Sequence, residues 1–361
     1  MDYKAIISEV LGISGKPFNF IDDPNEKIDF TLNNKEINWY PPYLVICEDK
    51  FFMFYPFSNE DFVDESETSS EMIALRESIK ESDVAKSLLS PIDKDGTIHT
   101  HPYKKWQGPH WTLFCLAQIE YPPNDSKLIP LRDQVYHWLF EKEHLKFPQS
   151  LLIPGQEDRF RRCATQEGNA IWYSIKLGID NEQTYELVNR LIKWQWPDGG
   201  WNCDKQPSAT TSSVIESLVP LRALYLASKH YHDKKAFDYA NKTAEYFLKR
   251  RLYKRLHDGN LILPLFTKIQ YPIQFYDVLF SLLVMSEIEK INDQRCNDAI
   301  NLLISKQLSN GGFPLELKNA ITINELVPRG TYADWGISGK TKMNEYITVD
   351  SLYVLKKANR G

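Results

Sequence analysis

The chain has 361 residues, is 42% hydrophobic and 13% aromatic, and carries a formal net charge of -5. That length can bury a large core as one big domain or two smaller ones, and the acidic balance gives no broad attraction for nucleic acid. Basic runs at Lys249-Arg250-Arg251 and Arg159 to Arg162 read as solvated helix ends, so nucleic acid is not an expected partner.

Met1-Asp2-Tyr3-Lys4 lacks the charged-then-apolar layout of a signal peptide. After a short amphipathic start (Tyr3 to Leu11), the segment Tyr43 to Phe57 is rich in Val, Ile, Phe and Tyr and is broken by Glu48-Asp49-Lys50, as a β-hairpin would be. Asp22-Asp23-Pro24-Asn25-Glu26 reads as a turn, since Pro24 opposes a helix there. An acidic, serine-rich linker, Asn59 to Glu71, follows. Residues 1–66 are thus expected to form a small α+β cap, and 67–361 a second, helical domain.

From Ser70 onward helical periodicity dominates. One set of helices is charged on one face: Glu71 to Leu89, Leu131 to Leu145, Glu182 to Lys193, Lys234 to Leu252 and Asn292 to Gln307. A more apolar set alternates with it: Pro109 to Ile119, Ala164 to Leu177, Ala209 to Leu226, Pro272 to Met285 and Asn344 to Lys357. Asp95-Gly96, Asp198-Gly199-Gly200, Asp258-Gly259 and Asn310-Gly311-Gly312 each lie between a charged helix and the next apolar one, where Gly supplies the positive φ a tight turn needs. Two of these turns belong to a repeat in which a Gln lies six residues before an aromatic: Gln195 to Trp201 and Gln307 to Phe313. Five αα-hairpins left as an open array would expose much apolar surface, so the expected fold is mainly α, an α/α toroid.

The cysteines Cys47, Cys115, Cys163, Cys203 and Cys296 are odd in number and never spaced as CxxC. That argues for reduced thiols and a cytoplasmic setting, and against a disulfide framework or a zinc ribbon. No apolar run reaches the ~18 residues that span a bilayer.

The Gln195 to Trp201 and Gln307 to Phe313 segments resemble the QW repeats of the squalene-cyclase and protein-prenyltransferase superfamily. Further strings resemble a bacterial family labelled prenyltransferase or squalene-cyclase-like, of largely undefined function. These are Arg162-Cys163 with Gly168-Asn169, Trp196 to Asp204, Phe266-Thr267 and Tyr276-Asp277-Val278-Leu279. The resemblance implies a terpenoid-cyclase-like toroid that binds or transforms an isoprenoid or other amphiphilic apolar substrate in a central cavity. The Asp-x-Asp-Asp acid of class II cyclases is incomplete in Asp93-Lys94-Asp95-Gly96, so ordinary protonation chemistry is not expected. Of the Asp, Cys and His zinc set of protein prenyltransferases, Cys203-Asp204 supplies two residue types, with no His at convincing spacing in the next repeat. No metal and no cofactor is therefore expected.

Polar residues in the first turns of the apolar helices would rim such a cavity, beside free helix N–H donors. Catalytic candidates are Asp277 and Glu167, as general acids or as residues that merely stabilise a helix dipole, together with His110 and Cys163. His110 is either a base or a rim hydrogen-bonding residue, and Cys163 either a nucleophile near a helix N-terminus or a structural thiol. Substrate-binding candidates are Trp111, Arg162, Asn169, Trp201, Asp204, Tyr271, Tyr276, Trp335 and Tyr346, with Asp204 alternatively a helix cap. A polar rim over apolar deeper turns suits an amphiphilic guest, and peripheral membrane contact is compatible with it. Two other functional classes stay open: a glycan-active hydrolase or lyase pairing Glu167 with Asp277, and a non-catalytic helical-repeat binding module. The sequence leaves the oligomeric state open.

Overall fold

The computed structural model describes residues 76–144, 160–273 and 276–360, together with Ile73, Leu145 as backbone and the backbone of six short strands within 28–53 and 152–159. Of the sequence expectations, the amphipathic start, the Asp22 to Glu26 turn and the acidic linker lie outside these residues. Val45–Cys47 (β3) and Lys50–Met53 (β4) pair antiparallel, which is the anticipated hairpin. A second antiparallel pair precedes it, Ile28–Leu32 (β1) with Lys35–Trp39 (β2). Its signal lay in the alternation of Ile28, Phe30 and Leu32 with Asp29 and Thr31.

The rest of the chain is mainly helical, and two kinds of helix alternate along it. Pro109–Gln118 (α2), Ala164–Lys176 (α5), Val214–His230 (α7), Val278–Glu287 (α9) and Glu345–Lys357 (α11) are buried along most or all of their length. Asp83–Leu89 (α1), Ile129–Phe140 (α3), Glu182–Trp194 (α6), Lys234–Leu248 (α8) and Asn297–Ile304 (α10) bury one face only. A single turn, Lys142–Leu145 (α4), follows α3. The one-faced helices carry the i, i+3, i+4 apolar stripe of a helix lying on a core, as in Leu187, Val188, Leu191 and Ile192 of α6. Successive buried helices lie against one another: α2 on α5, α5 on α7, α7 on α9 and α9 on α11. The stretch just before α2 also meets the stretch between α10 and α11, through Trp106 N–H to the Gly330 carbonyl (3.0 Å) and Gln107 Nε2 to the Glu325 carbonyl (2.6 Å).

The four turns read as glycine turns all take positive φ: 81° at Gly96, 101° at Gly199, 69° at Gly259 and 85° at Gly311. An L side chain is disfavoured there, which is why four of the five helix pairs close on an Asp/Asn-Gly step. Close packing between α5 and α7 depends on another glycine. A Cβ on Gly168 would lie 3.1 Å from the Pro220 nitrogen and 3.0 Å from Val219 Cγ1, so the two backbones approach where only hydrogen fits.

Among the one-faced helices, α1 begins at Asp83 instead of Glu71 and α10 at Asn297 instead of Asn292, and two starts of the buried set also differ from the sequence reading. The helix expected from Ala209 begins at Val214, because Ser212 N–H is taken by Asp198 Oδ2 (2.8 Å) and Ser213 N–H by the Trp201 carbonyl (2.8 Å). The helix expected from Pro272 begins at Val278, because Gln270–Tyr271 (β7) is extended and pairs parallel with Leu317–Lys318 (β8). The residue before a proline favours extended backbone, and Pro272 follows that preference instead of opening a helix.

The repeat glutamines link neighbouring elements. Gln195 Nε2 donates to the Tyr239 carbonyl (3.0 Å) and to Thr243 Oγ1 (2.9 Å), tying the end of α6 to α8. Gln307 Nε2 instead closes its own turn on the Gly311 carbonyl (2.8 Å).

Deeper between the buried helices the interior is not wholly apolar, contrary to the expected gradient. Arg222 of α7 is only 4% exposed, and its guanidinium lies 3.7 Å from the Trp172 ring centroid and 5.7 Å from that of Phe280. Its Nε donates to Glu287 Oε2 (2.6 Å), its Nη2 donates to the other oxygen, and Nη1 reaches Gln118 Oε1 (3.4 Å). A charge so deep is tolerated because its donors are matched by a bidentate carboxylate and its face by a π system. Among the described residues no helix is long and apolar enough to cross a membrane.

Candidate functional site

Two helix starts and the segment after a glycine turn converge on one polar cluster. Cys163 immediately precedes α5, Glu216 lies in the first turn of α7, and Cys203 follows the Asp198-Gly199-Gly200 turn. The two Sγ atoms and a Glu216 carboxylate oxygen lie within 4.8 Å of one another, with Cys203 Sγ 3.3 Å from Glu216 Oε1. The other oxygen, Oε2, accepts from Thr165 N–H (3.3 Å) and Thr165 Oγ1 (3.2 Å). These two bonds fix the carboxylate so that Oε1 faces the thiols. The Gly168 contact keeps α5 and α7 close enough for them to form.

Electrostatics in the cluster follow from burial. The Glu216 carboxyl is pushed up, chiefly by burial, with Glu167 adding like-charge repulsion. The Cys203 thiol is pushed up by its hydrogen bond with Cys163, by burial and by Glu216. Lys105 is drawn down to about 8 by burial, against the opposing pull of Glu216 and Cys163. Tyr103 is raised, by burial first and then by Glu216 and the two thiols.

An aromatic wall adjoins this cluster. Tyr103 lies 5.2 Å from His110, 5.3 Å from Trp111 and 5.6 Å from Trp138, centroid to centroid. Trp138 continues the wall to His144 at 4.9 Å, and His144 Nε2 faces Glu167 Oε1 at 3.4 Å. Arg162 Nη1 donates to the His144 carbonyl (2.8 Å). Tyr103, Lys105, Trp138 and His144 are half-buried, so the wall opens to solvent. His110 is fully buried at its base; burial and then the Lys105 charge hold its imidazole near 3, so it is neutral at physiological pH. Its Nδ1 meets Tyr173 Oη at 3.4 Å, and its Nε2 has no hydrogen-bond partner among the described residues.

Of the catalytic candidates, His110, Glu167 and Cys163 thus fall into one neighbourhood, joined by Trp111 and Arg162. Trp111 supports the wall from behind: it is buried, donates to the Tyr103 carbonyl (3.3 Å) and packs on Trp106 at 4.6 Å. Asn169 is buried further along α5. The sequence reading missed Tyr103, Lys105, Trp138, His144, Thr165, Cys203 and Glu216 as site residues. Thirteen positions separate Cys203 from Glu216, and forty separate Cys163 from Cys203, so no local motif marks them.

The remaining candidates lie elsewhere. Asp204 belongs to its own turn, its Oδ1 accepting from Gln206 N–H (2.9 Å) and its carbonyl from Arg161 Nη1. Trp201 is fully buried, with its indole N–H on the Leu191 carbonyl (3.0 Å) and its backbone N–H on Ser217 Oγ (2.9 Å). Tyr276 is buried and donates to the Leu252 carbonyl (2.6 Å). Tyr271, Trp335 and Tyr346 form a separate aromatic triad with centroids 5.3–5.4 Å apart.

Asp277 is the N-cap of α9. Its Oδ1 accepts from Phe280 N–H (2.8 Å) and its Oδ2 from Gln270 N–H (2.9 Å). Both carboxylate oxygens are therefore engaged with backbone, and its nearest charged influence is Glu316, not Glu167. Burial outweighs those two bonds and raises the carboxyl from 3.8 to about 7. The folded protein therefore holds this proton more tightly than the unfolded chain does. The associated stability is full below about pH 4 and is lost as pH rises toward 7, by on the order of a few kcal/mol. Urea unfolding of wild type and Asp277→Asn should show wild type gaining relative to the variant on acidification from about pH 7 to about pH 4. A difference independent of pH would contradict the assignment.

An open groove of about 640 Å3 lies on the outer side, lined by Phe160, Asn189, Ile192, Lys193, Gln195, Lys235 and Tyr239. It contains none of the clustered thiols or carboxylates. Searches of family models, of curated proteins and of solved structures give no match to this chain.

Proposed function

We propose that the alternating helix pairs form an α/α toroid of the terpenoid-cyclase and prenyltransferase type. In this reading the protein binds or transforms an isoprenoid or other amphiphilic apolar molecule where α2, α5 and α7 begin. The observation that carries the proposal is the wall of half-buried Tyr103 and Trp138 over the buried His110 ring, set directly against Lys105, Cys163, Cys203 and Glu216. An apolar chain gains from lying on ring faces, and a polar head gains from the ionisable groups beside them. The serial packing of the buried helices, together with the bonds from Trp106 and Gln107 before α2 to Gly330 and Glu325 ahead of α11, supports the toroid.

The rim sets the head group and Arg222 limits the depth. Its ion pair with Glu287 fills the space between Trp172 and Phe280, so a guest would lie near the mouth and not thread the centre. His110, neutral and fully buried beneath these rings, supports the wall from below and does not itself reach the guest.

Farnesol, titrated against tryptophan fluorescence and followed by native mass spectrometry, tests the reading. Saturable one-to-one uptake is expected. Trp138→Ala should weaken it on the order of tenfold, the equivalent of about 1.4 kcal/mol of lost ring contact. Absence of uptake for both farnesol and farnesyl diphosphate, or uptake unchanged in Trp138→Ala, would refute it.

A further inference from the structure

We infer that Cys163, Cys203 and Glu216 are the protein ligands of a thiophilic divalent cation, zinc in the first instance, held at the mouth of the rim site. The inference stands independently of the isoprenoid reading, since it rests on donor chemistry and geometry alone.

Three donors of the right kind meet at one point. Tetrahedral zinc with Zn–S near 2.3 Å and Zn–O near 2.1 Å places its ligand atoms about 3.6–3.8 Å apart. Here the three donor atoms already lie within 4.8 Å of one another, and Cys203 Sγ to Glu216 Oε1 is 3.3 Å. That spacing is within about an ångström of the tetrahedral one, a difference on the scale of side-chain adjustment.

The outer shell is the second, independent observation. Ligating carboxylates are characteristically held by further hydrogen bonds, which orient them before the metal arrives. Glu216 has that arrangement: Oε2 is held by the backbone and hydroxyl of Thr165, and Oε1 is turned to the thiols. Two sulfurs and a carboxylate crowded together repel one another once ionised, and a dication would relieve that repulsion.

Donor type selects the metal. Thiolates favour zinc over magnesium or calcium, which prefer all-oxygen cages. Three protein ligands leave the fourth tetrahedral position open to a substrate atom or water, as catalytic zinc sites do. Cys163 is exposed, so that position faces the opening beside Tyr103 and Lys105. Asp204, adjacent to Cys203 in sequence, has its carboxylate turned into its own turn, and Glu216 takes the place that proximity in sequence would have given it.

Cobalt(II) titration of the full chain, purified under reductant and stripped with a chelator, tests the site. One equivalent should produce thiolate-to-cobalt charge-transfer absorption together with the d–d bands of tetrahedral cobalt, and one equivalent of zinc should abolish both. Zinc should also shield Cys163 from iodoacetamide in the wild-type chain, as read by peptide mass mapping, a measurement that needs no variant. Cys203→Ser and Glu216→Gln should each weaken cobalt binding by at least about 100-fold, whereas Asp204→Asn should leave it unchanged. Three results would each overturn the inference: a spectrum without thiolate charge transfer, alkylation of Cys163 indifferent to zinc, or a Cys163–Cys203 disulfide as the stable state of the reductant-free protein.

Discussion

Arg222→Ala should be the most destabilising single change in the buried helices, costing about 3–5 kcal/mol in urea or thermal unfolding. The guanidinium is nearly inaccessible and is matched on three sides, by Glu287, Gln118 and the Trp172 ring. Its removal leaves Glu287, whose side chain is 23% exposed, without a counter-charge, and opens a void under Trp172. Most of that penalty comes from the abandoned carboxylate. Arg222→Met with Glu287→Met should therefore recover a large part of the stability, because a well-packed apolar pair is often as stable as a buried ion pair. A double variant no more stable than Arg222→Met alone would show that packing on Trp172 is the main contribution instead.

Trp201→Ala should cost about 3–5 kcal/mol, as large-to-small changes at fully buried aromatic positions do. The indole is 0% exposed, and its N–H satisfies the Leu191 carbonyl near the end of α6. Trp201→Phe keeps much of the volume but strands that carbonyl, so about 1–3 kcal/mol is expected. The same variant separates packing from recognition. Farnesol uptake by folded Trp201→Phe should match wild type, since the ring lies within the core and not on the wall formed by Tyr103 and Trp138. A loss of uptake without a loss of stability would return Trp201 to the substrate-binding set.

The helix order could be read directly because two local signals coincide. Apolar stripes recur at the helical period, and Asp or Asn before Gly marks the turns, all four of which adopt the left-handed conformation. Helix starts were less legible where a side chain outside the helix decides them. Asp198 captures Ser212, and the strand at Gln270–Tyr271 delays the helix after Pro272; neither effect is visible in a window of neighbouring residues. The same limit applied to the site. His110, Cys163 and Glu167 stood out because they open apolar helices, but Glu216 fell inside the helix expected from Ala209 and reaches a first turn only because that helix starts at Val214, and its partners come from two other elements. Asp277 shows the converse: its place near a helix start was readable, whereas its role as the cap itself and its full burial, which raises its carboxyl, depend on the packing of the whole chain around it.

The hydrogen bonds from Trp106 and Gln107 to Gly330 and Glu325 join positions more than two hundred residues apart. On a ribosome adding about 5–20 residues per second, the later partners emerge roughly 10–40 s after the earlier ones. Until then the first helix pairs present a bare flank to solvent or to a chaperone. This seam consequently knits late in biosynthesis, just ahead of the docking of α11 on α9, and a nascent chain stalled before residue 325 should be the species most prone to aggregate.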